Sequence, residues 1–148
     1  MKLLIDTDVL IDVALNRTPF AEAAARLLDE AQAQPGTAFM AWHSASNFYY
    51  MISSPRGKDA ARDFIKDLLH FVGIAAVQTD DLTYALGLDM PDLEDAMQAA
   101  AAMACRADYI VTRNIEHYRK SPVRAITPDT WLRKYGRVPP DPSETDGP

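Results

Sequence analysis

Residues 2–12 read KLLIDTDVLID, and this short segment determines which architecture the chain adopts. An apolar run over residues 3–5 leads directly into Asp6, which predicts a short buried strand with a carboxylate at its C-terminal end. In open α/β sheets, ligands bind at the edge where the carboxyl ends of the strands lie. Asp6 alone does not settle the matter, because aspartate is also a common helix N-cap.

Two other segments place oxygen-bearing side chains at the start of a helix or at the end of a strand. Residues 92–95 form the acidic cluster Asp-Leu-Glu-Asp, and the strand-like run 109–111 ends in Thr-Arg-Asn at residues 112–114. These segments are far apart in the sequence. A fold that brings them together can surround one hard metal ion with oxygen ligands.

The rest of the chain alternates between short apolar runs and segments of helical periodicity. This alternation predicts an α/β fold with a central parallel sheet of four to five strands covered by helices. Strands are expected at residues 3–5, 37–40, 74–77, 108–112 and 125–126.

Length and composition fit one globular domain, with 148 residues and a hydrophobic content of 48%. We predict this domain over residues 1–136. The remaining residues, 137–148, are polar and rich in proline, which predicts a disordered tail. The N-terminus has no apolar segment long enough for a signal peptide or a membrane span, and the single cysteine cannot form an internal disulfide. A cytoplasmic protein without a membrane partner is expected.

The net charge of −6 argues against a protein that binds nucleic acid through a basic surface alone. It does not argue against a nuclease. Carboxylates that hold a divalent cation contribute negative charge, and the bound ion reverses the local sign.

The acidic residues near position 95 are the natural partners of Asp6 in a metal site. Mg²⁺ and Mn²⁺ take oxygen ligands and keep several waters, so two or three carboxylates suffice. Asp92 and Asp95 are three residues apart and share one helix face, so Asp92 is the candidate for a third carboxylate. The structural alternative is that these residues complement the dipole at a helix N-terminus.

Four motifs in this order resemble those of PIN domains. They are the opening segment 4–12, the acidic segment 92–101, the strand and polar loop 110–114, and the final strand with its helix start at 126–128. The resemblance spans residues 1–135 and implies a three-layer α/β/α PIN-like fold.

The resemblance also implies an activity and its site. PIN domains are endoribonucleases of single-stranded RNA that use Mg²⁺ or Mn²⁺, and many are the toxin of a toxin–antitoxin pair. By resemblance, Asp6 and Asp95 are metal ligands and Asp8 supports Asp6. Asp92, chosen for its spacing from Asp95, is expected to complete the catalytic group in a supporting role. The expected partners are an RNA substrate, a cognate antitoxin that inserts a basic or polar side chain among the carboxylates, and a second copy in a homodimer.

Two positions depart from the family pattern. Asn47 aligns with the second acidic position and Asn114 with the fourth, for which Glu116 and His117 are neighbouring alternatives. An amide is neutral, so a site with two amides binds a cation less tightly. Thr112 and Asn114 are expected to hold waters or to orient Asp6, as groups behind metal ligands do. Asn47 is expected to fix the position of a water or to contact the substrate.

The sequence leaves three alternatives to an active PIN nuclease. Residues 6–8, Asp-Thr-Asp, resemble the start of haloacid-dehalogenase-like phosphatases, but Leu10 and the lack of a later Gly-Asp pair depart from that family. A response-regulator-like receiver lacks its mid-chain aspartate and late lysine. A PIN-fold binding protein with weakened catalysis is favoured by Asn47 and Asn114.

A self-complementary apolar surface is predicted between residues 49–50 and residues 64–68. Their aromatic and aliphatic side chains exceed what a small core needs, so this surface is the expected homodimer interface.

Overall fold

The computed structural model describes residues 1–137. The strands are β1 (Leu3–Ile5), β2 (Ala38–Met40), β3 (Val72–Ile74), β4 (Tyr109–Val111) and β5 (Ala125–Ile126). The α-helices are α1 (Thr7–Ala14), α2 (Ala21–Ala33), α3 (Trp42–Arg56), α4 (Lys58–Leu68), α5 (Thr79–Gly87), α6 (Leu93–Ala104) and α7 (Pro128–Tyr135). A 3₁₀ helix spans Ile115–Tyr118. No helix within residues 1–137 is long and apolar enough to cross a membrane. Residues 138–148 of the predicted tail lie outside the described residues.

The five strands form one parallel sheet in the order β3-β2-β1-β4-β5. β1 lies at the centre, where Leu4 is in register with Phe39 of β2 on one side and with Ile110 of β4 on the other. The chain runs outward from β1 to β3 and then returns to the other side of β1 for β4. Ligands of open α/β sheets bind in the crevice at such a reversal, beyond the carboxyl ends of the strands.

Different helices cover the two faces of the sheet. Leu3 and Ile5 of β1 point into a core that they share with helices α1 to α4 and α7. Leu4 and Ile110 point to the opposite face and pack with α6, which α5 covers in turn. These packing relationships confirm the predicted three-layer α/β/α fold with a parallel sheet of five strands.

Alanine allows α6 to lie close to the sheet. Ala99, Ala101 and Ala102 are buried against side chains of β1 and β4, and their small size lets the helix and strand backbones approach each other. The first turn of α6 carries Asp95 and therefore comes to the C-terminal end of β1, where Asp6 lies.

Some element boundaries differ from the prediction. β3 covers residues 72–74 instead of 74–77. The strand includes Gly73, where a side chain would have little room because the Phe39 ring lies 3.1 Å from the position a Cβ would take. Helix α2 begins at Ala21, after the cis peptide bond between Thr18 and Pro19, and not at the proline. The sequence pattern did not predict the 3₁₀ helix.

The side chains that predicted a dimer surface are used largely inside the molecule. Phe48 of α3 stacks on Phe64 of α4 with ring centroids 5.0 Å apart, and Leu68 is only 3% exposed. Leu68 is therefore too buried to contribute to the predicted interface, and Phe64 is half-buried because one face of its ring packs on α3. Tyr50 remains available, since it is 73% exposed.

Candidate active site

Asp6 is the most strongly anchored carboxylate at the carboxyl edge of the sheet. It follows β1 directly and serves as the N-cap of α1, so its Oδ1 accepts a hydrogen bond of 2.7 Å from the backbone N–H of Thr7. Its Oδ2 accepts hydrogen bonds of 2.9 Å from the Thr112 hydroxyl and of 2.9 Å from the Tyr118 hydroxyl. Three donors thus fix a carboxylate that is 9% exposed.

Asp95 lies next to Asp6 through a shared contact with one hydroxyl group. The Tyr118 hydroxyl that bonds Asp6 also lies 3.3 Å from Oδ1 of Asp95. On the outer side, Nδ1 of His117 lies 3.5 Å from Oδ2 of Asp95. Partial burial raises the pKa of Asp95, and the negative charges of Asp92 and Asp6 raise it further. The two carboxylates predicted to work together are therefore close enough to repel each other.

Asp92 has a structural role at this end of α6. It is the N-cap residue, and its Oδ1 accepts a hydrogen bond of 3.1 Å from the backbone N–H of Asp95. The i, i+3 spacing that made Asp92 a candidate third carboxylate is thus the spacing of a helix cap. Asp92 influences the site by fixing the first turn of α6 and by adding its charge near Asp95.

Asp8 is the third carboxylate at the crevice. Its Oδ2 accepts hydrogen bonds from the Thr112 hydroxyl at 3.3 Å, from the backbone N–H of Arg113 at 3.2 Å and from Nδ2 of Asn114 at 3.1 Å. Its Oδ1 is buried and has no hydrogen-bond partner among the described residues. Burial, followed by the charge of Asp6, raises the pKa of Asp8 to about 7.

The loop after β4 ties Asp8 to Asp6. Thr112 is fully buried and contacts both carboxylates, and its Oγ1 also accepts a hydrogen bond of 3.1 Å from the backbone N–H of Asn114. Arg113, which lies between Thr112 and Asn114 in the sequence, points away from the crevice toward Asp12. Thr112 thus contacts Asp6 and Asp8, and Asn114 contacts Asp8, from the loop after β4.

Asn47 lies at the edge of the site and contacts Glu94. Its Nδ2 donates a hydrogen bond of 2.9 Å to Oε1 of Glu94, the residue before Asp95 in α6. Both residues line a cleft of about 360 Å³ that also includes Asp8, Arg17 and the exposed Tyr50. The cleft extends from Asp8 along α3, and Asn47 belongs to its wall.

These residues match a known family in both sequence and structure. A family model described as the PIN domain matches residues 2–116. The chain belongs to the PIN-domain family. The matched part of this PIN domain contains the three carboxylates at the crevice and ends just before His117 and Tyr118. Membership favours the PIN interpretation over the phosphatase and receiver interpretations.

Solved structures share the fold of this PIN domain. VapBC2 from Rickettsia felis, bound to a DNA fragment from its promoter, is 18% identical with a TM-score of 0.65, and the match covers 86% of this chain and 98% of that one. VapC20 from Mycobacterium tuberculosis, described as a toxin that cleaves the sarcin-ricin loop, is 16% identical with a TM-score of 0.60, over 74% and 87% of the two chains. A toxin–antitoxin complex from Klebsiella pneumoniae is 20% identical with a TM-score of 0.64, over 86% and 98%. The sequence matches no curated protein.

The donor set of this PIN domain suits a small divalent cation. The available ligands are carboxylate oxygens, which Mg²⁺ and Mn²⁺ prefer. Asp8 has a buried oxygen without a partner among the described residues. Burial, and after it the charge of neighbouring carboxylates, raises the pKa of Asp8 and of Asp95, and a cation would offset both effects. Within residues 1–137, no three His, Cys, Asp or Glu side chains are already arranged around one point as a metal cage. The residues therefore fit a cation held by two carboxylates and waters.

Sequence reasoning missed two parts of the site. One is Tyr118, which joins Asp6 to Asp95. The other is a buried cluster below Asp6, in which Ser44 Oγ accepts hydrogen bonds of 2.9 Å from the Thr7 hydroxyl and of 2.7 Å from Nε2 of Gln98. The only signal for this cluster in the sequence is Gln98 itself, a polar residue among the alanines of α6, whose other side chains are expected to make apolar contacts.

Proposed function

We propose that this PIN domain is a Mg²⁺- or Mn²⁺-dependent endoribonuclease that cleaves single-stranded RNA. The observation that carries the proposal is the meeting of Asp6 and Asp95 at one hydroxyl group, in the crevice between β1 and β4. Ligands collect at this position in open α/β sheets. Asp8 adds a third carboxylate, and its Oδ1 has no hydrogen-bond partner among the described residues.

Asp6 and Asp95 are the residues that would hold the cation, with Asp8 as the neighbouring carboxylate. When bound, the cation supplies positive charge beside the scissile phosphate and acidifies a coordinated water. The protein's own contribution is orientation. Thr112 fixes Asp6 and Asp8 from behind, and Asn114 holds Asp8.

The proposal is tested by incubating the protein with single-stranded RNA and with a duplex of the same sequence. We expect cleavage of the single strand in Mn²⁺ or Mg²⁺, with 5′-phosphate and 3′-hydroxyl ends, and none in EDTA. Asp6→Asn and Asp95→Asn should each lower the rate at least about a hundredfold, because several kcal/mol of charge stabilisation depend on the ion. Asp59→Asn is the matched control, since Asp59 is exposed on α4. Cleavage that persists in EDTA would refute the mechanism.

We propose an antitoxin as the cognate partner, which would make the protein a cytoplasmic toxin. The similar structures include VapBC2 of Rickettsia felis and a toxin–antitoxin complex of Klebsiella pneumoniae, both with this fold. The open crevice with its excess negative charge suits an antitoxin that inserts a basic or polar side chain among the carboxylates. Co-expression with the neighbouring gene product, followed by size-exclusion chromatography, tests this partner.

A homodimer is proposed as well, with a different surface from the one predicted. Leu82 and Leu86 are four residues apart on α5, share one helix face, and are 46% and 64% exposed. Exposed apolar side chains on one helix face support a contact surface there. Leu86→Lys should convert a sedimenting dimer to a monomer, whereas a wild type that stays monomeric at all concentrations contradicts the dimer.

The second candidate function is a PIN-fold binding protein with weakened catalysis. Asn47 and Asn114 favour it, because each amide donates a hydrogen bond to a carboxylate and adds no negative charge for a cation. If the wild type binds single-stranded RNA but does not cleave it in Mn²⁺, the binding function replaces the nuclease function. Asn47→Glu and Asn114→Asp should then raise metal affinity.

A further inference from the structure

We propose that Tyr118 is a positioning residue whose hydroxyl sets the spacing between Asp6 and Asp95. The inference rests on the proposed function, in which these two carboxylates hold a divalent cation. Tyr118 lies outside the segment that matches the PIN-domain model, so its role follows from the contacts of this chain alone.

The fold holds the hydroxyl of Tyr118 in a fixed position. The ring is 3% exposed and packs in the core cluster that includes Leu4, Ile110 and Val123. The backbone is held at the end of the 3₁₀ helix, where the carbonyl of Tyr118 accepts a hydrogen bond of 3.0 Å from Ser121. Because the ring is enclosed on this side of the sheet, it cannot follow small movements of the carboxylates. The position of its hydroxyl is therefore independent of theirs.

This hydroxyl connects two different elements. It lies 2.9 Å from Oδ2 of Asp6, which follows β1, and 3.3 Å from Oδ1 of Asp95, which lies in the first turn of α6. Thr112, by contrast, contacts Asp6 and Asp8, which both belong to the segment after β1. Tyr118 is therefore the described side chain that links the two carboxylates across the crevice.

The chemistry of a phenol explains why one group can serve both acids. A hydroxyl has one hydrogen to donate, and here it can be given to either carboxylate. Both acids are thus held within 3.3 Å of one oxygen in spite of their repulsion. Asp6 keeps two other donors, whereas the remaining side-chain partner of Asp95 is the exposed His117. Loss of the hydroxyl should therefore act chiefly on the position of Asp95.

Tyr118→Phe tests the proposal because it removes the hydroxyl and keeps the buried ring. We expect the Kd for Mn²⁺, measured by calorimetric titration of the metal-free protein, to rise about tenfold, as for other groups that orient metal ligands. The matched control is Tyr135→Phe. Its hydroxyl lies 3.1 Å from that of Tyr109, on the far side of the sheet from Tyr118. The control should bind Mn²⁺ like the wild type.

The test separates this inference from the proposed function. If the wild type binds Mn²⁺ and Tyr118→Phe binds it equally well, the positioning role is overturned and the nuclease proposal stands. If the wild type binds no Mn²⁺, both are overturned.

A second measurement uses the wild type and so does not depend on folding of the variant. In protein labelled with ¹³C at Cζ of tyrosine, Mg²⁺ should shift the Tyr118 resonance and leave that of Tyr135 in place. An unchanged Tyr118 resonance at saturating Mg²⁺ overturns the proposal.

Discussion

Arg113 and Asp12 form an ion pair behind the candidate active site, with 2.7 Å between Nε of the arginine and Oδ2 of the aspartate. Asp12 is 1% exposed, and the guanidinium of Arg113 lies 4.3 Å from the ring centroid of Phe20. The pair holds the loop after β4 against α1. Arg113 therefore has a structural role, although it lies between two residues of the site, Thr112 and Asn114.

Breaking this pair should destabilise the protein. Asp12→Ala leaves the Arg113 charge without its partner in a largely buried place, so the free energy of unfolding should fall by about 3 kcal/mol. Urea denaturation measures the loss. Asp29→Ala, an exposed aspartate on α2, is the control and should change stability little. Equal stability of the two variants would show that the ion pair contributes nothing.

The raised pKa of Asp8 predicts an unusual pH dependence of stability without metal. In EDTA, Asp8 ionises near pH 7 in the folded protein but near its ordinary 3.8 when unfolded. Between these values the folded state binds the extra proton, so the free energy of unfolding falls as the pH rises. Asp8→Asn should remove a slope that approaches about 1.4 kcal/mol per pH unit.

Urea titrations of both proteins between about pH 5 and pH 8 measure this difference. At pH 8 the variant should be the more stable of the two, because it no longer places a negative charge beside Asp6. Parallel curves for wild type and Asp8→Asn would mean that Asp8 is ionised in the folded protein throughout this range.

The sheet and two of its acids could be predicted because the necessary information is local. Each strand is a short run of mostly apolar residues, and Asp6 directly follows β1, so the strand direction places it at the sheet edge. Asp6 and Asp95 could therefore be placed from their neighbours in sequence. Asp92 shows the limit of such rules, since i, i+3 spacing does not distinguish a metal ligand from an N-cap.

Tyr118 and Gln98 could not be predicted, because their polar atoms meet partners far away in the chain. Tyr118 is 112 positions from Asp6, and Gln98 is 91 positions from Thr7. Hydrophobic periodicity indicates which face of a helix is buried, but not where one polar atom within that face will point. The same limit applies to Phe64, which is apolar at helical spacing whether it packs on α3 or on a second copy.

Gln98 should prove important for stability because it joins three helices below the site. Its Nε2 donates a hydrogen bond of 2.7 Å to Ser44 of α3, beside Thr7 of α1. Gln98→Met keeps the size of the side chain and removes the donor, so we expect a loss of about 1–2 kcal/mol in unfolding free energy. Gln32→Met, at an exposed position on α2, is the control. A loss no larger than that of the control would show that Gln98 acts only by filling space.

Metal should stabilise the folded protein through Asp6 and Asp95. A ligand that binds only the folded state raises the free energy of unfolding by about 2.7 kcal/mol when its concentration is about 100 times its Kd. We therefore expect Mn²⁺ to shift the urea midpoint of the wild type upward relative to EDTA, and to leave Asp6→Asn and Asp95→Asn unshifted. Asp59→Asn should respond like the wild type. A similar Mn²⁺ shift in Asp6→Asn would place the bound ion elsewhere on this acidic protein and would remove the basis of the proposed mechanism.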